Sequence, residues 1–388
     1  MPYRISCDIL IPMKTNPFYF GKEVSGDYFY DRAEAAKDLS RCITGGINVV
    51  VYAPRRYGKT SLVKRVAAQI ASDAGMRVVY VDLMKMDSVE QFCSVYVKAL
   101  MPHAGMVEKA ISKFRNLFKS LRPSISIDPN GNVDFSIDLN GKAISAPAVE
   151  DVLNLPNRLA TEETPLLVIF DEFQEIARLS DVLPMEGIFR SVIQAHENVR
   201  YVFLGSKTHL MKRMFTDHAR PFYKSATLLH LDKPPVAESM SYVIGRMKAY
   251  GVAVAPELAA DIVARADSLP YYVQALSFHV FETTAARNAR KVSSEDVEVG
   301  TDALLAANRD LYEAYGSTLP QTQRKLLTAL AGEPTGRFTE DYRRRHALGV
   351  SSTVNTALAR LMEAGFVEQV DGRYEIGDPF FKRYLVSP

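Results

Sequence analysis

Cysteine is scarce in this 388-residue chain: Cys7, Cys42 and Cys93 stand far apart, with no Cys-x-x-Cys pair and no histidine pattern beside them. That spacing argues against a disulfide framework and a zinc site, and it fits a reducing compartment. An excess of charge of either sign is also missing, since 47 lysines and arginines face 45 acidic residues. So weak a field gives no reason to expect a general polyanion or a membrane surface as partner, and it confines any nucleic-acid contact to a local patch. No apolar run approaches the roughly 18 residues of a membrane span. The opening "MPYRISCDILIPMKTNPF" is interrupted by charge and proline before a signal-peptide core develops. The expectation is a soluble, cytoplasmic protein. The seven histidines make no Ser-His-Asp or His-Glu-x-x-His pattern and read as structural. Internal repeats and low-complexity tracts are absent as well.

What the chain does have is length for two or three domains and an ordinary 47% hydrophobic content. Five short runs are apolar, rich in β-branched residues and bounded by turn or helix signals: 47–53, 77–83, 166–170, 200–205 and 226–231. Runs apolar on both faces imply a sheet covered on both sides. Helical patterns lie between them, at 61–74 with Leu62, Val66 and Ile70 on one stripe, and at 185–196 with Ile188, Phe189 and Val192. This alternation predicts an α/β fold with a parallel sheet. After a helical stretch at 107–121, "SISIDPNGNVDFSIDL" alternates strictly on either side of Asp128-Pro-Asn-Gly131 and predicts a β-hairpin insertion at about 122–146. Its apolar face, Ile125, Ile127, Val133, Phe135 and Ile137, requires cover from the body or a partner.

Beyond Pro234-Pro235 strand signals stop, and helices are expected at about 236–250, 256–266, 270–290 and 294–315, the last begun by Ser293 with Asp296 three residues on. From Leu319 three helices, 322–331, 339–347 and 351–364, precede two short strands, 366–370 and 373–376, hinged on Asp371-Gly372. That order describes a winged helix-turn-helix. The domains expected are thus 1–235, 236–317 and 318–388.

The stretch from Ala53 through Pro54, Arg55, Arg56, Tyr57, Gly58 and Lys59 to Thr60 and Ser61 joins the first strand to a helix and fits Gly-x-x-x-x-Gly-Lys-Ser/Thr except at its first position. Such a loop binds phosphate because backbone N–H groups wrap the anion while the helix directs its positive end at the same oxygens. Gly58 lets the backbone come close, Lys59 reaches the β- and γ-phosphates, and Thr60 offers a hydroxyl to Mg2+. Alanine is tolerable at 53 if its φ is negative, and Pro54 biases it toward extended conformations. In "LLVIFDEFQEI", Asp171 and Glu172 emerge at the carboxyl end of a buried strand, where α/β ligands bind. Asp171 is suited to hold the metal and Glu172 to polarise a water that attacks the γ-phosphate. The two motifs together favour ATP or GTP.

Other positions keep two readings. Ser206 follows a strand and is placed either to sense a γ-phosphate or to cap. Arg220 is either a finger reaching into a neighbouring subunit or a surface arginine. Arg55 and Arg56 either steer phosphate or partner, or are solvated loop charges. Gln174 follows the acidic pair closely and has no assigned role.

With these residues in view, the chain resembles the archaeal and bacterial ATPase family related to the origin-recognition and STAND branches of the AAA-type P-loop NTPases. The stretches that carry the resemblance are "NPFYFGKEVSGDYFYDRAEAAKDL", "APRRYGKTSL", "VIFDEFQEI", "FLGSKTHLMKRMF", "SLPYYVQAL" and "YEIGDPFFKRYL". They span nearly the whole chain. The resemblance implies a five-stranded parallel sheet ordered 5-1-4-3-2, a helical lid, a C-terminal winged helix, and ATP between sheet and lid. It also implies that Asp31 and Arg32 begin a helix near the adenine and that Pro270 packs beside the nucleotide, although a capping Asp and a helix-starting proline explain these residues equally well. Ala53 departs from the family's glycine, and no lid arginine can be placed as a second phosphate sensor.

Two functions from different classes follow. One is a slow, Mg2+-dependent ATPase acting as a nucleotide-controlled switch that repositions the winged helix. The other is a winged-helix DNA-binding module that nucleotide merely stabilises. Residues 319–388 carry ten lysines and arginines against eight acids, and the third helix offers only Arg360 with Ser352, Thr353 and Thr356 outward. The footprint for DNA phosphates is thin, and the Arg343–Arg345 run is as readily a solvated face. The switch is favoured, with DNA and a protein both open as partner, and oligomeric state unread.

Overall fold

A computed structural model describes residues 16–21, 29, 30, 32–84, 86–103, 122–127, 133–138, 144–180, 183–370 and 372–386. The helix expected at 107–121, the hairpin turn at 128–131, Asp31 and Asp371 lie outside the described residues. The chain divides into two compact units, one running from Arg32 to Asp232, the other joining the residues before it to Lys233–Pro388.

In the first unit, β1 (Val49–Tyr52), β2 (Arg77–Asp82), β5 (Leu166–Asp171), β6 (Val199–Gly205) and β7 (Thr227–His230) form one parallel sheet in the order β2-β5-β6-β1-β7. Counted along the chain, this is the expected order 5-1-4-3-2. The hairpin of β3 (Arg122–Ile127) and β4 (Val133–Asp138) is inserted between β2 and β5 and pairs Ile125 with Phe135 and Ile127 with Val133.

The strands β1 and β5 are buried throughout, because helices cover both faces. On one face Val168 and Phe170 of β5 and Tyr201 and Phe203 of β6 pack with Phe92, Tyr96 and Phe189 from the helices Val89–Leu100 and Met185–Ile193. The alternate residues, among them Leu167 and Ile169, are equally buried. So are Leu39 and Ile43 of the helix Ala33–Thr44 and Leu62, Val66 and Ile70 of the helix Lys59–Ala74, which pack against each other.

The second unit holds five helices, Val236–Ala249, Pro256–Arg265, Pro270–Ala286, Ser294–Ala307 and Arg309–Thr318, followed by a three-helix winged domain. The pattern expected as one helix over 294–315 is two. Asn308 leaves helical geometry at φ −105° and ψ 4° while its side-chain amide donates to Leu304 O at 2.8 Å, ending one helix and starting the next. Ser293 and Asp296 make the full capping box, and Arg287 pairs with the buried Asp296 carboxylate. Asn16 Nδ2 donates to Phe278 O at 3.0 Å, and Arg246 Nη2 donates to Pro17 O at 2.7 Å, so the described N-terminal segment lies on these helices. In the winged domain the helices Gln321–Gly332, Glu340–Arg345 and Ser351–Ala364 precede an antiparallel pair, β8 (Val367–Val370) and β9 (Arg373–Ile376). A closing helix, Pro379–Val386, buries Phe380 and Phe381. Among the described residues no helix is long and apolar enough to cross a membrane.

One buried histidine in the sheet unit makes stability depend on pH. His196 Nε2 donates to Asn154 Oδ1 at 3.1 Å, since an amide oxygen only accepts, and in the neutral ring its Nδ1 then accepts from Tyr201 Oη at 2.7 Å. Burial lowers its pKa from 6.5 to about 4. The unfolded chain therefore takes up a proton below pH 6.5 that the folded chain refuses until about pH 4. Stability at this group is full above pH 6.5 and is lost as pH falls through that window. Urea midpoints measured across it should fall more steeply for the wild type than for His196→Phe; parallel slopes would contradict the assignment.

Candidate active site

The carboxyl ends of β1, β5 and β6 bring the site together. Between β1 and the helix Lys59–Ala74 the chain turns through two left-handed residues, Arg56 at φ 69° and Gly58 at φ 82°. Gly58 is needed for this conformation and not for space, since a Cβ there would meet nothing within 4 Å. Alternating handedness is the geometry in which successive N–H groups can converge on an anion, and no side chain caps the helix that begins at Lys59. Ala53 is fully buried and absent from the left-handed residues, so alanine sits there without strain. Arg55 and Arg56 are exposed, whereas Tyr57 is buried.

Lys59 is almost wholly enclosed, 6% exposed, and its ammonium donates to the loop's own Pro54 O at 2.7 Å. A buried cation bonded to a neutral carbonyl is a strong receptor for an anion brought into the same loop. The side chain of Arg32 is buried behind the loop: Nη2 donates to Tyr57 O at 3.1 Å and Nη1 to Asp232 O. With φ 76° it also marks the start of the helix Ala33–Thr44. One guanidinium thus ties the phosphate-type loop to the last residue of the unit.

Strand alternation places Asp171. Residues 167, 169 and 171 point to one side of β5, and Thr60 Oγ1, from the first turn of the helix Lys59–Ala74, donates to Asp171 Oδ2 at 2.9 Å. Tyr80 of β2 pairs in register with Ile169, shares its face and reaches along the strand, so that its hydroxyl donates to the same carboxylate oxygen. Burial pushes the Asp171 pKa up, the hydrogen bonds from Tyr80 and Thr60 oppose this, and the neighbouring Glu172 adds to the rise.

Glu172 leaves the strand with φ 52°, a left-handed conformation uncommon outside glycine and often found at functional sites. Its Oε2 accepts from Ser206 Oγ at 2.6 Å, from Ser206 N at 3.3 Å and from Gln174 Nε2 at 2.5 Å. Behind it Glu175 accepts from Lys207 at 3.0 Å and Arg178 at 3.1 Å. Burial raises the Glu175 pKa, but these two cations outweigh it and leave the group below its ordinary value.

Lys59, Thr60, Asp171, Glu172 and Ser206 are therefore brought to one edge. Arg220 is engaged elsewhere in the same unit, in an ion pair with the buried Glu186 of the helix Met185–Ile193. Pro270 opens the helix Pro270–Ala286 of the second unit, after two left-handed residues, Asp267 and Ser268. Ser61 follows Thr60 within the first helical turn and is half-buried. Sequence reasoning missed Tyr80, Glu175 and Lys207, which only the strand register and the fold of the β6 end bring in.

Among the described residues no group of three or more His, Cys, Asp or Glu side chains is suited to hold a metal ion. Thr60 and Asp171 supply a hydroxyl and a carboxylate, an oxygen-only set of the kind that holds Mg2+ when phosphates and water complete its shell. The residues fit that ion.

Residues 29–232 match the model of an ATPase domain predominantly from Archaea. The chain belongs to this ATPase family. Residues 310–387 match a probable winged helix domain. Among solved structures, the chain is similar to a Walker-type ATPase of Pyrococcus abyssi, with TM-score 0.65 and 16% identity over 92% of this chain and 96% of that one. It is also similar to the ORC2 protein of Aeropyrum pernix in its ADPNP-ADP complexes, with TM-score 0.57 and 15% identity over 95% and 94% of the two chains. The ORC1 protein of Aeropyrum pernix in complex with DNA gives 0.52 and 16% identity, over 93% of each chain. At these identities the likeness is one of fold. No curated protein matches the chain.

The end of β6 carries a packing constraint of its own. A Cβ on Gly205 would lie 2.3 Å from Met211 Cγ and 2.6 Å from Gln174 Oε1, so any larger residue must displace both. Gly205→Ala should destabilise the unit by about 1–3 kcal/mol in urea unfolding; an unchanged midpoint would mean that this edge is looser than described.

Proposed function

We propose that the protein binds ATP with Mg2+ in the loop 53–61 and hydrolyses it slowly, as a switch whose nucleotide state repositions the winged helix. The observation that carries the reading is the 2.9 Å bond of Thr60 to Asp171, with Lys59 enclosed beside Pro54 and Glu172 held by Ser206. The N–H groups at Gly58–Ser61 and the Lys59 ammonium take the phosphates, and burial strengthens that attraction. Thr60 and Asp171 would hold Mg2+, which neutralises charge on the phosphates. Glu172 accepts the proton of the attacking water and Ser206 keeps its carboxylate in place. Arg32, bonded to Tyr57 O, fixes the loop's shape from behind, while on resemblance alone Asp31 stays assigned near the adenine and Pro270 beside the nucleotide. Arg55 and Arg56 steer the anion inward. For Arg220 to act on a neighbouring subunit its pair with Glu186 would have to open. The domains proposed are 1–235 for nucleotide, although the residues before Arg32 group with the second unit, 236–317 as a helical lid and 318–388 as the winged helix.

A second reading, DNA binding through the winged helix, draws on the ORC1 structure with DNA and on the exposed Ser351, Ser352, Thr353, Asn355, Thr356 and Arg360 of its third helix. Its basic cluster is largely spent within the domain, because Arg344 pairs with Asp341, Arg345 with Glu333, and Arg343 donates to Gly349 O.

Equilibrium binding and turnover separate the parts. Lys59→Ala should lose ATP binding by tenfold or more, on the order of 1–3 kcal/mol. Glu172→Gln should bind ATP as the wild type does and lose about 10²-fold or more in turnover. Equal turnover in all three proteins would remove the ATPase reading. Duplex DNA titrated at low salt should bind weakly, with an affinity that falls steeply as salt is raised; no binding at low salt would remove the second reading.

A further inference from the structure

Gln174 is a poor choice if stability alone is considered. It is 2% exposed, and its Oε1 is a buried acceptor without a hydrogen-bond partner. A leucine there would leave no orphaned carbonyl, so the amide must serve in another way. Its orientation is settled by chemistry: Nε2 lies 2.5 Å from Glu172 Oε2 and 3.5 Å from Glu175 Oε1, and both neighbours are carboxylates that can only accept. Turning the amide would set its oxygen against two anions. The groove that receives it exists because Gly205, at the end of β6, carries no Cβ to collide with Oε1.

The bonds at Glu172 are lopsided. Oε2 takes Gln174 Nε2 and both donors of Ser206, whereas Oε1 receives no hydrogen bond among the described residues. We infer that Gln174 is a positioning residue for ATP hydrolysis: with Ser206 it anchors Glu172 through one oxygen, so that the other is turned out as the acceptor of the water's proton. The inference rests on the ATPase reading and names how its base is aimed. Gln174 also spans two carboxylates, with Glu175 kept charged by Lys207 and Arg178, so the amide stays pinned between anions. The charged groups around Glu172 are then Asp171 before it in the strand, Glu175 across the amide, and Lys207 beyond Glu175.

The test is a comparison of wild type, Gln174→Leu and Ser206→Ala. Turnover should separate the roles: in Gln174→Leu kcat should fall by about tenfold or more with KM within about twofold, because the carboxylate is misaimed while nucleotide still binds, and Ser206→Ala should act in the same direction. Should Gln174→Leu not fold, the kcat and KM of Ser206→Ala still decide whether donors on Oε2 aim this carboxyl. A folded Gln174→Leu that turns over like the wild type would overturn the inference and leave the ATPase reading standing. A wild type without turnover would overturn both.

Discussion

A hydrogen bond between residues 111 positions apart, Thr60 Oγ1 to Asp171 Oδ2, holds the two halves of this site to each other. The strands that deliver them, β1 and β5, are not neighbours, because β6 runs between them. Only the sheet order and the alternation of side chains bring a helix beginning after one strand onto the end of the other. Asp171 is buried, which penalises its charge, and the hydroxyls of Thr60 and Tyr80 with the Glu172 N–H return part of what desolvation costs. In the reading proposed above, this carboxylate is the one a cation would meet, with its partner hydroxyl as second ligand.

Around that bond the edge is arranged as charges that answer one another. Lys59 lies on a carbonyl of its own loop, Glu175 is balanced by Lys207 and Arg178, and Arg32 spends its guanidinium on the carbonyls of Tyr57 and Asp232. The last contact joins the loop to the residue where the chain leaves the unit.

Much of this was legible from the residues. The five strands stood out as β-branched apolar runs because both faces are covered, and the loop stood out because few other settings call for Gly58-Lys59-Thr60 between a strand and a helix. Boundaries moved by up to four residues, as at the helix expected over 270–290, which ends at Ala286, and at β1, which is hydrogen-bonded only over Val49–Tyr52. The helix expected over 294–315 is divided because a single asparagine prefers its own backbone to the helix, a choice that periodicity does not register. Tyr80 was hidden since its role depends on register with β5, and Gln174 was noticed but unassigned since its partner is fixed by the left-handed turn at Glu172. The closing helix Pro379–Val386 went unread because eight residues carry too little periodicity to separate them from a tail.

The most direct measurement is a crystal structure with Mg2+ and a non-hydrolysable ATP analogue. The account predicts a triphosphate wrapped by the loop, the Lys59 ammonium moved from the Pro54 carbonyl onto phosphate oxygens, and the metal on the Thr60 hydroxyl beside Asp171. A nucleotide bound elsewhere, with Lys59 still on that carbonyl and Thr60 still on Asp171, would contradict it.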